Sequence, residues 1–477
     1  MPSVLAVPDA GTVVVASVVA FWLVVVVAAL PQQLVQDSWL ALLSGREVAQ
    51  HGLSHTDSLT VWTTGRPWVD QQWLGQLGFY GLWLLGGMRA VMLTHALILV
   101  LTVAVGLRAA RSLGASTQSV AVGGVAALTV APWGMQLRTQ GMGELLFVVL
   151  VALLATDARS PSRRVYLALP LLVLWANIHG SVVLGAALVA LRALTLAFGP
   201  SRNRRRALAL LGGAGLSTFA SPYGLSLAGY YKHMLANPLL HGFIDEWGPS
   251  TPSMRTAAFY ALAFAAVWLT ARHGSRLTPF SRLVLLLTMV SAVTAVRSIV
   301  WFGLAALVLL PALLDPILSR VEFASLGRFV RPLAVTAAAS ALAATAFGLT
   351  RSNGWLLQEW PTAQAGQIAG LARHTGNGRV FADDRYADWL LWTEPQLRGR
   401  VAYDVRFELF TRRQITLLSH FHNRIGDGWR AAADGYPIVV LDPTLQQPVE
   451  DGLLVRGRYR QVVANAQIVV LRAAGAR

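Results

Sequence analysis

The chain has 477 residues, 55% of them hydrophobic and only 13% charged, with a mean hydropathy of +0.53. A soluble domain carries about 25% charged residues, and here the apolar excess falls in runs close to the roughly 20 residues that cross a bilayer, so the composition predicts a polytopic α-helical membrane protein. The net charge of +16 does not signal nucleic acid, because its arginines cluster in short loops between apolar runs, and the absence of Cys excludes disulfides, thiolate catalysis and Cys-ligated metals.

In chain order, the predicted spans are roughly 11–30, 89–107, 116–133, 142–156, 165–178, 181–198, 206–221, 256–271, 283–296, 299–314 and 332–350, about eleven in all. The stretch 74–86 is too short to cross comfortably at about 1.5 Å per residue, and its Trp and Tyr content predicts a helix at the membrane interface. Arginines gather in loops around residues 108–111, 159–164, 202–206, 272–282 and 320–331. Positive-inside places these loops and the N-terminus in the cytoplasm, and the tail beyond residue 350 outside. The first apolar run lacks a basic flank and is long enough to span, so a cleaved signal peptide is not expected. Rich use of Ala, Arg and Gly fits a bacterial genome, hence a multi-pass protein of the inner (plasma) membrane.

Between the first two spans lies a polar, aromatic-rich loop, residues 31–88, holding Asp37, His55, Asp57, Asp70 and several Trp. Polar residues that interrupt the apolar runs fall almost entirely at their outer ends: Asp37, Arg138, Gln140, Glu144, Asn177, His179, Tyr223, Asp245, Glu246 and Arg297. Ionisable groups at membrane depth are costly and tend to be functional, so this gathering predicts one shared outward-facing site. From about residue 351 the composition becomes that of a soluble domain. Gly378–Asp383, Arg400–Arg406, Tyr436–Pro443 and Gln461–Arg472 read as strands, with helices near 359–374 and 411–434, giving a small α/β domain without a phosphate loop, metal-ligand set or nucleophile elbow. Asp383, Asp384, Asp404 and Arg406 sit at its strand ends, as turn-formers or as acceptor-binding groups.

Each candidate residue has a plain structural alternative. Asp37 is either the N-cap of a helix through WLALLSGREVAQ or a general base that deprotonates an acceptor hydroxyl; a carboxylate at a helix start stays ionised, as a base must. Asp57 and Asp70 are turn-formers or a second carboxylate for substrate or metal. Asn177 and His179 break the apolar run 169–191, where His179 could hydrogen-bond a phosphate or hydroxyl. Arg138 and Arg297 either snorkel to headgroups or offer guanidinium forks to a phosphate. Trp39, Trp62, Trp68, Trp73 and Trp247 stack on sugars or form an interfacial belt.

With these residues in place the chain resembles the GT-C superfamily of membrane glycosyltransferases, the polyprenyl-phosphate-sugar-dependent group, and within it a large bacterial multi-pass family. The resemblance rests on DSWLALLSG (37–45), DSLTVWTTGRPWVDQQWL (57–74), LRTQ (137–140), LLVLWANIHGSVVLG (171–185), SPYGL (221–225), IDEWGP (244–249) and the tail block GRVFADDRYADWLLW with VAYDVRFELF, and so covers essentially the whole chain. It implies a lipid-phosphate sugar donor, an exoplasmic site and inversion at the sugar carbon, with Asp37 matching the catalytic first-loop carboxylate. Many such enzymes carry two acidic residues close together there; here Gln36 and Ser38 flank Asp37, so a second carboxylate would come from Asp57, Asp70 or Glu246, and a divalent cation stays open as a cofactor.

The expected protein is thus a GT-C-like membrane domain over 1–350 and a small extracytoplasmic α/β domain over 351–477. It moves a sugar from a polyprenyl-phosphate donor to a glycan, lipid or protein acceptor of the envelope. Asp37 is catalytic; Arg138, His179 and Arg297 hold the donor phosphate; Asp57, Asp70, Asn177, Tyr223, Asp245 and Glu246 bind substrate. The alternatives are a lipid-linked saccharide ligase or other lipid-phosphate transferase using the same residues, and a non-catalytic transporter or assembly protein.

Overall fold

The computed structural model describes residues 10–199, 203–237, 242–318 and 326–475. The arginine-loop segments at 200–202 and 319–325, and the N-terminal residues 1–9, lie outside the described residues. The chain forms two compact units, neither contiguous in sequence: residues 1–30, 92–224 and 245–351 make one, and residues 31–91, 225–244 and 352–477 the other.

The first unit is helical. Ile299–Leu309 is apolar on every side (IVWFGLAALVL) and buried at every position, so it has no polar face to offer solvent and becomes the centre of the bundle. Thr117–Leu128, Gln140–Arg159 and Pro279–Thr294 pack around it. Close approach depends on small residues: a Cβ on Gly106 would come within 2.5 Å of Leu307, and one on Gly124 within 2.7 Å of Leu107. Ala10–Ala28 packs along Leu326–Thr350. Large apolar side chains stay exposed on the outside, Phe264, Leu342 and Leu208 among them, which a hydrocarbon solvent tolerates and water would not.

Every expected span contains a helix. Among the described residues four helices are long and apolar enough to cross a membrane: Gly11–Ala28, Trp73–Ser112, Gln140–Arg159 and Val330–Thr350. The helices Val296–Leu309 and Pro311–Leu318, bent by 52°, make a fifth if taken as one span. The others are shorter because turn residues cut them. Ala168–Ala176, for example, ends where the Asn177 amide folds back to the carbonyls of Val173 and Ala220, both at 2.8 Å. Where the basic loops gather, Asp157 accepts from Arg192 (2.9 Å) and Arg206 (2.6 Å), tying three helices together at one end.

The second unit is built on a four-stranded sheet: β1 Val380–Ala382, β2 Ile438–Leu441, β3 Tyr459–Ala464 and β4 Val469–Ala473, in the order β1-β2-β4-β3. β1 and β2 run parallel, the other pairs antiparallel. The predicted single strand 461–472 is a hairpin. It turns at Asn465, whose side chain accepts from the amides of Gln467 (2.8 Å) and Ile468 (3.0 Å). Arg400–Arg406 is not a strand. Val401 makes one bridge to Val380, and the segment then offers its other edge to the first loop: Val61 and Trp62 donate to the carbonyls of Val401 and Ala402, both at 2.9 Å.

The loop 31–88 therefore packs as part of this unit. Trp62 stacks on Tyr403 at 5.3 Å inside a core of Phe381, Phe410, Phe421 and Trp429. Arg46 donates to the carbonyls of Leu391 and Trp392, each at 3.0 Å. Gln36–His51 packs on Asp384–Thr393. Gly45 lets the 73–85 segment pass: a Cβ there would sit 2.2 Å from the Gln76 carbonyl oxygen. The expected interface helix at 74–86 is the first part of Trp73–Ser112, which breaks at Gly86 and Gly87, the latter at φ 63°, a conformation that favours glycine.

Candidate functional sites

In the helical unit Arg138, Glu246, Arg297 and His179 come together. Arg138 lies in the turn before Gln140–Arg159, Glu246 in a short 3-10 turn at Asp245–Trp247, and Arg297 in another at Val296–Ser298. Arg138 holds Glu246 with both ends of its fork, Nη1 to Oε2 at 2.9 Å and Nη2 to Oε1 at 3.3 Å. Arg297 stacks over Trp247 at 4.3 Å, and Arg255 over Trp133 at 5.0 Å. Burial works to raise the Glu246 pKa, but Arg138, Arg297 and Arg255 together bring it below the usual range, so it is a carboxylate.

His179 is buried in the turn between Ala168–Ala176 and Val182–Phe198. Its Nδ1 accepts the Ser181 backbone N–H at 3.2 Å and lies 2.7 Å from the Ser181 hydroxyl, which in turn accepts from Trp175 at 3.0 Å. An accepting Nδ1 leaves the proton of a neutral ring on Nε2, making that nitrogen a donor. Burial, and then the charges of Arg297 and Arg138, push the pKa down to about 3, so the ring is neutral at physiological pH.

Two cavities meet at this cluster. One is polar, lined by Arg138, Gln140, Glu246 and Arg297; the other is apolar, lined by Trp22, Leu99, Val103, Val300, Leu304 and Leu307. Gly134 and Glu144 line both. Of the remaining expected residues in this unit, Asn177 closes its helix as described above, Tyr223 is buried in the turn after Arg204–Thr218, and Asp245 is exposed beside Glu246. A residue not anticipated is His95, fully buried in Trp73–Ser112 with Nε2 3.2 Å from the Met135 carbonyl; an apolar helix carrying one His gives no periodic signal for it.

In the other unit Asp37 is half-buried in the first turn of Gln36–His51. It is not the N-cap. Val35 holds that position, and the neighbouring Ser38 hydroxyl accepts the Val35 amide at 3.0 Å. Asp37 is close enough to Asp384, Asp388 and Glu408 for its charge to raise their pKa values. Asp384 is pushed up to about 6 by burial, with the charges of Asp37 and Asp442 adding to it. Glu408 is pushed up to about 7, again chiefly by burial.

Asp57 and Asp70 differ in their surroundings. Asp57 accepts from the Leu59 amide (3.0 Å), Thr63 (2.6 Å) and Arg406 (2.7 Å), and Arg406 also binds Asp404 through Nε and Nη2. Burial opposes ionisation of Asp57, but Arg406 and these donors outweigh it and hold its pKa below the usual range. Its oxygens are committed to closing the loop on the tail. Asp70 is buried with one carboxylate oxygen unpartnered, and burial pushes its pKa up to about 7. Although the sequence shows no metal-ligand spacing in the tail, Asp383, Asp384 and His422 bring one donor atom each to within 4.8 Å of one another. Two adjacent residues plus a distant third match no spacing motif, so only the fold reveals the group.

The chain matches no protein-family model and no curated protein. Among solved structures, the oligosaccharyltransferase AglB from Archaeoglobus fulgidus, in complex with an inhibitory peptide and a dolichol-phosphate, is similar with a TM-score of 0.55 at 11% identity, over 90% of this chain and 69% of that one. ArnT from Cupriavidus metallidurans, bound to undecaprenyl phosphate, is similar with a TM-score of 0.52 at 16% identity, over 97% of this chain and 98% of that one.

Proposed function

We propose that this chain, whose fold is that of the solved AglB and ArnT structures, is a GT-C membrane glycosyltransferase, moving a sugar from a polyprenyl-phosphate donor to an envelope glycan, lipid or protein acceptor on the outer face of the bacterial plasma membrane. On this reading the eleven apolar stretches cross, the shorter helices completing the crossing with their flanking turns, and the arginine loops face the cytoplasm. The observation that carries the reading is the pair of adjoining cavities: a polar one with Arg138 and Arg297, and an apolar one in the helical bundle, sharing Gly134 and Glu144. A polyprenyl phosphate has that division, a charged head on a long hydrocarbon. The bound dolichol-phosphate and undecaprenyl phosphate of the two similar structures support it.

The chemistry needs three things. On this proposal Asp37 takes the proton of the acceptor hydroxyl as its oxygen attacks the anomeric carbon, with inversion at that carbon. The bond from that carbon to the phosphate oxygen breaks, and its electrons leave with polyprenyl phosphate. Arg138 and Arg297 stabilise the charge gathering on that phosphate, and His179 donates from Nε2. Glu246 occupies the Arg138 fork before the donor arrives and yields it to the phosphate, with Asp245 and Tyr223 on the sugar or acceptor.

The test compares a gene deletion complemented with wild type or with Asp37→Asn, by mass spectrometry of envelope glycans and of polyprenyl-phosphate sugars. The expected result is accumulated lipid-linked sugar and a truncated glycan in both the deletion and the Asp37→Asn strain, at wild-type protein levels. The mass of the accumulated donor also separates a monosaccharide transferase from a saccharide ligase. Full rescue by Asp37→Asn would remove the central role given to this residue.

A further inference from the structure

The unit that holds the sheet concentrates carboxylates that the transfer reaction does not use. Asp383 ends β1 and caps Asp384–Thr393, its Oδ1 accepting the Arg385 amide at 3.0 Å. That leaves Oδ2 facing His422, 4.0 Å from Nε2. Asp384 follows in the first helical turn, and Asp442 lies near enough to act on both electrostatically. Asp442 has its own cation, Arg385 at 3.0 Å, and its own donor, Thr444 at 2.6 Å. The guanidinium of Arg385 is at ion-pair distance from Asp442 and acts on Asp383 only electrostatically, so a buried Asp383 beside a half-buried Asp384 has room for a further compensating charge.

Two polar atoms outside this carboxylate pair point the same way. The His422 Nε2 is buried and has no hydrogen-bond partner among the described residues. Tyr403 is wholly buried; among the described residues its hydroxyl has no partner at full hydrogen-bond geometry, only a looser approach to the Asp384 backbone, and the Asp383 and Asp384 charges act on it. A hydroxyl so weakly satisfied inside a packed aromatic core is costly, so its placement beside two carboxylates leaves a role for a further polar group in the gap. A water held by an ion would supply one.

We propose that Asp383, Asp384 and His422 bind one divalent transition-metal cation, with Tyr403 facing its coordination shell. Two carboxylate oxygens and one imidazole nitrogen suit Mn2+ or Zn2+ better than Mg2+ or Ca2+, which take oxygen alone. The donors, within 4.8 Å of one another, would draw together to about 3.4 Å apart around a tetrahedral ion with bonds of about 2.1 Å. The site ties the end of β1 to Arg412–Asn423, which carries His422, and so fixes the floor of the domain beside the helix bearing Asp37.

The test is Mn2+ binding by electron paramagnetic resonance, with Zn2+ as competitor, on the full-length metal-stripped protein in detergent. Variants are Asp384→Asn, His422→Gln and Asp37→Asn, and melting of each stripped protein checks the fold. The expected result is one Mn2+ per chain in wild type, displaced by Zn2+, weakened at least tenfold by Asp384→Asn and by His422→Gln, and by much less than tenfold by Asp37→Asn, which removes a neighbouring charge but no ligand. The melting temperature of wild type rises with metal, and those of the Asp384→Asn and His422→Gln proteins do not. No binding at millimolar Mn2+ or Zn2+, or binding that both variants retain, overturns the proposal. Loss on Asp37→Asn alone would place the ion at the first-loop carboxylate and equally overturn it. None of these readouts depends on glycosyl transfer, so the site stands or falls apart from the enzymatic reading.

Discussion

Replacing Arg406 by Met tests how the first loop is held. Arg406 is 2% exposed and lies between Asp57 and Asp404, which are 2% and 0% exposed. It reaches Asp57 at 2.7 Å and Asp404 at 2.5 Å, and stacks on Trp68 at 4.5 Å. Methionine keeps much of the volume but leaves two buried carboxylates without a cation, a loss of about 3–5 kcal/mol for a broken buried pair. Without Arg406 the Asp57 carboxyl loses the charge that holds its pKa down, and burial then pushes it upward. In wild type the lowered Asp57 pKa contributes stability above the unfolded value of about 4, lost only as pH falls through the still lower folded value. In Arg406→Met the buried Asp57 carboxylate penalises the fold at pH 8, and protonation relieves that penalty as pH falls towards 5. Asp70 and Glu408, both near 7, already make the wild type gain stability on acidification, so the quantity to compare is the difference between variant and wild type at each pH. Hydrogen exchange of residues 57–66 and of β1 in the full-length protein reads it. The expected difference is about 3–5 kcal/mol at pH 8 and clearly smaller at pH 5. A difference below about 1 kcal/mol, or one equal at both pH values, would refute the argument that Arg406 works by charge.

Two further outcomes concern the cluster around Arg138. Glu246→Gln frees the Arg138 fork and removes a negative charge from the phosphate cavity, so undecaprenyl phosphate should bind about tenfold more tightly, a gain of about 1.4 kcal/mol by equilibrium binding in detergent; weaker binding would mean that Glu246 positions Arg138 rather than competing for it. His179, with its pKa pushed down to about 3, gains its charge only below that value, so the ratio of undecaprenyl phosphate affinities of wild type and His179→Gln should stay constant from about pH 5 to 8. A ratio that grows as pH falls through about 6.5 would show an imidazolium at work.

The helices were legible because each apolar run imposes its own hydrogen-bonding, whatever packs around it. The gathering of Arg138, His179, Glu246 and Arg297 in one cluster was legible too, since all four interrupt or end apolar runs. What the sequence hid was long-range pairing. Asp57 looks like any turn aspartate until Arg406, 349 residues later, reaches it. Arg400–Arg406 has the β-branched and aromatic residues of a strand, yet it makes one bridge because the first loop takes its other edge. Asp37 has the residue type of an N-cap, but Val35 takes that position, its amide held by the Ser38 hydroxyl, and a propensity cannot distinguish neighbours two residues apart.

The two units also differ in the sign of the charge they leave over. In the helical unit three arginines, Arg138, Arg255 and Arg297, act on one carboxylate, Glu246, so the cluster has positive charge to spare and suits an anion. In the other unit the acids Asp383, Asp384 and Asp442 lie together, joined electrostatically by Asp37, while Arg385 reaches only Asp442 among them at ion-pair distance. That cluster has negative charge to spare and suits a cation. Burial sharpens both preferences, because a low dielectric makes an uncompensated charge costly and a complementary ligand correspondingly favourable. A phosphate head in the first and a divalent cation in the second are the ligands that bring each cluster towards neutrality, and neither assignment leans on the other: each is an inference from the groups of one unit alone.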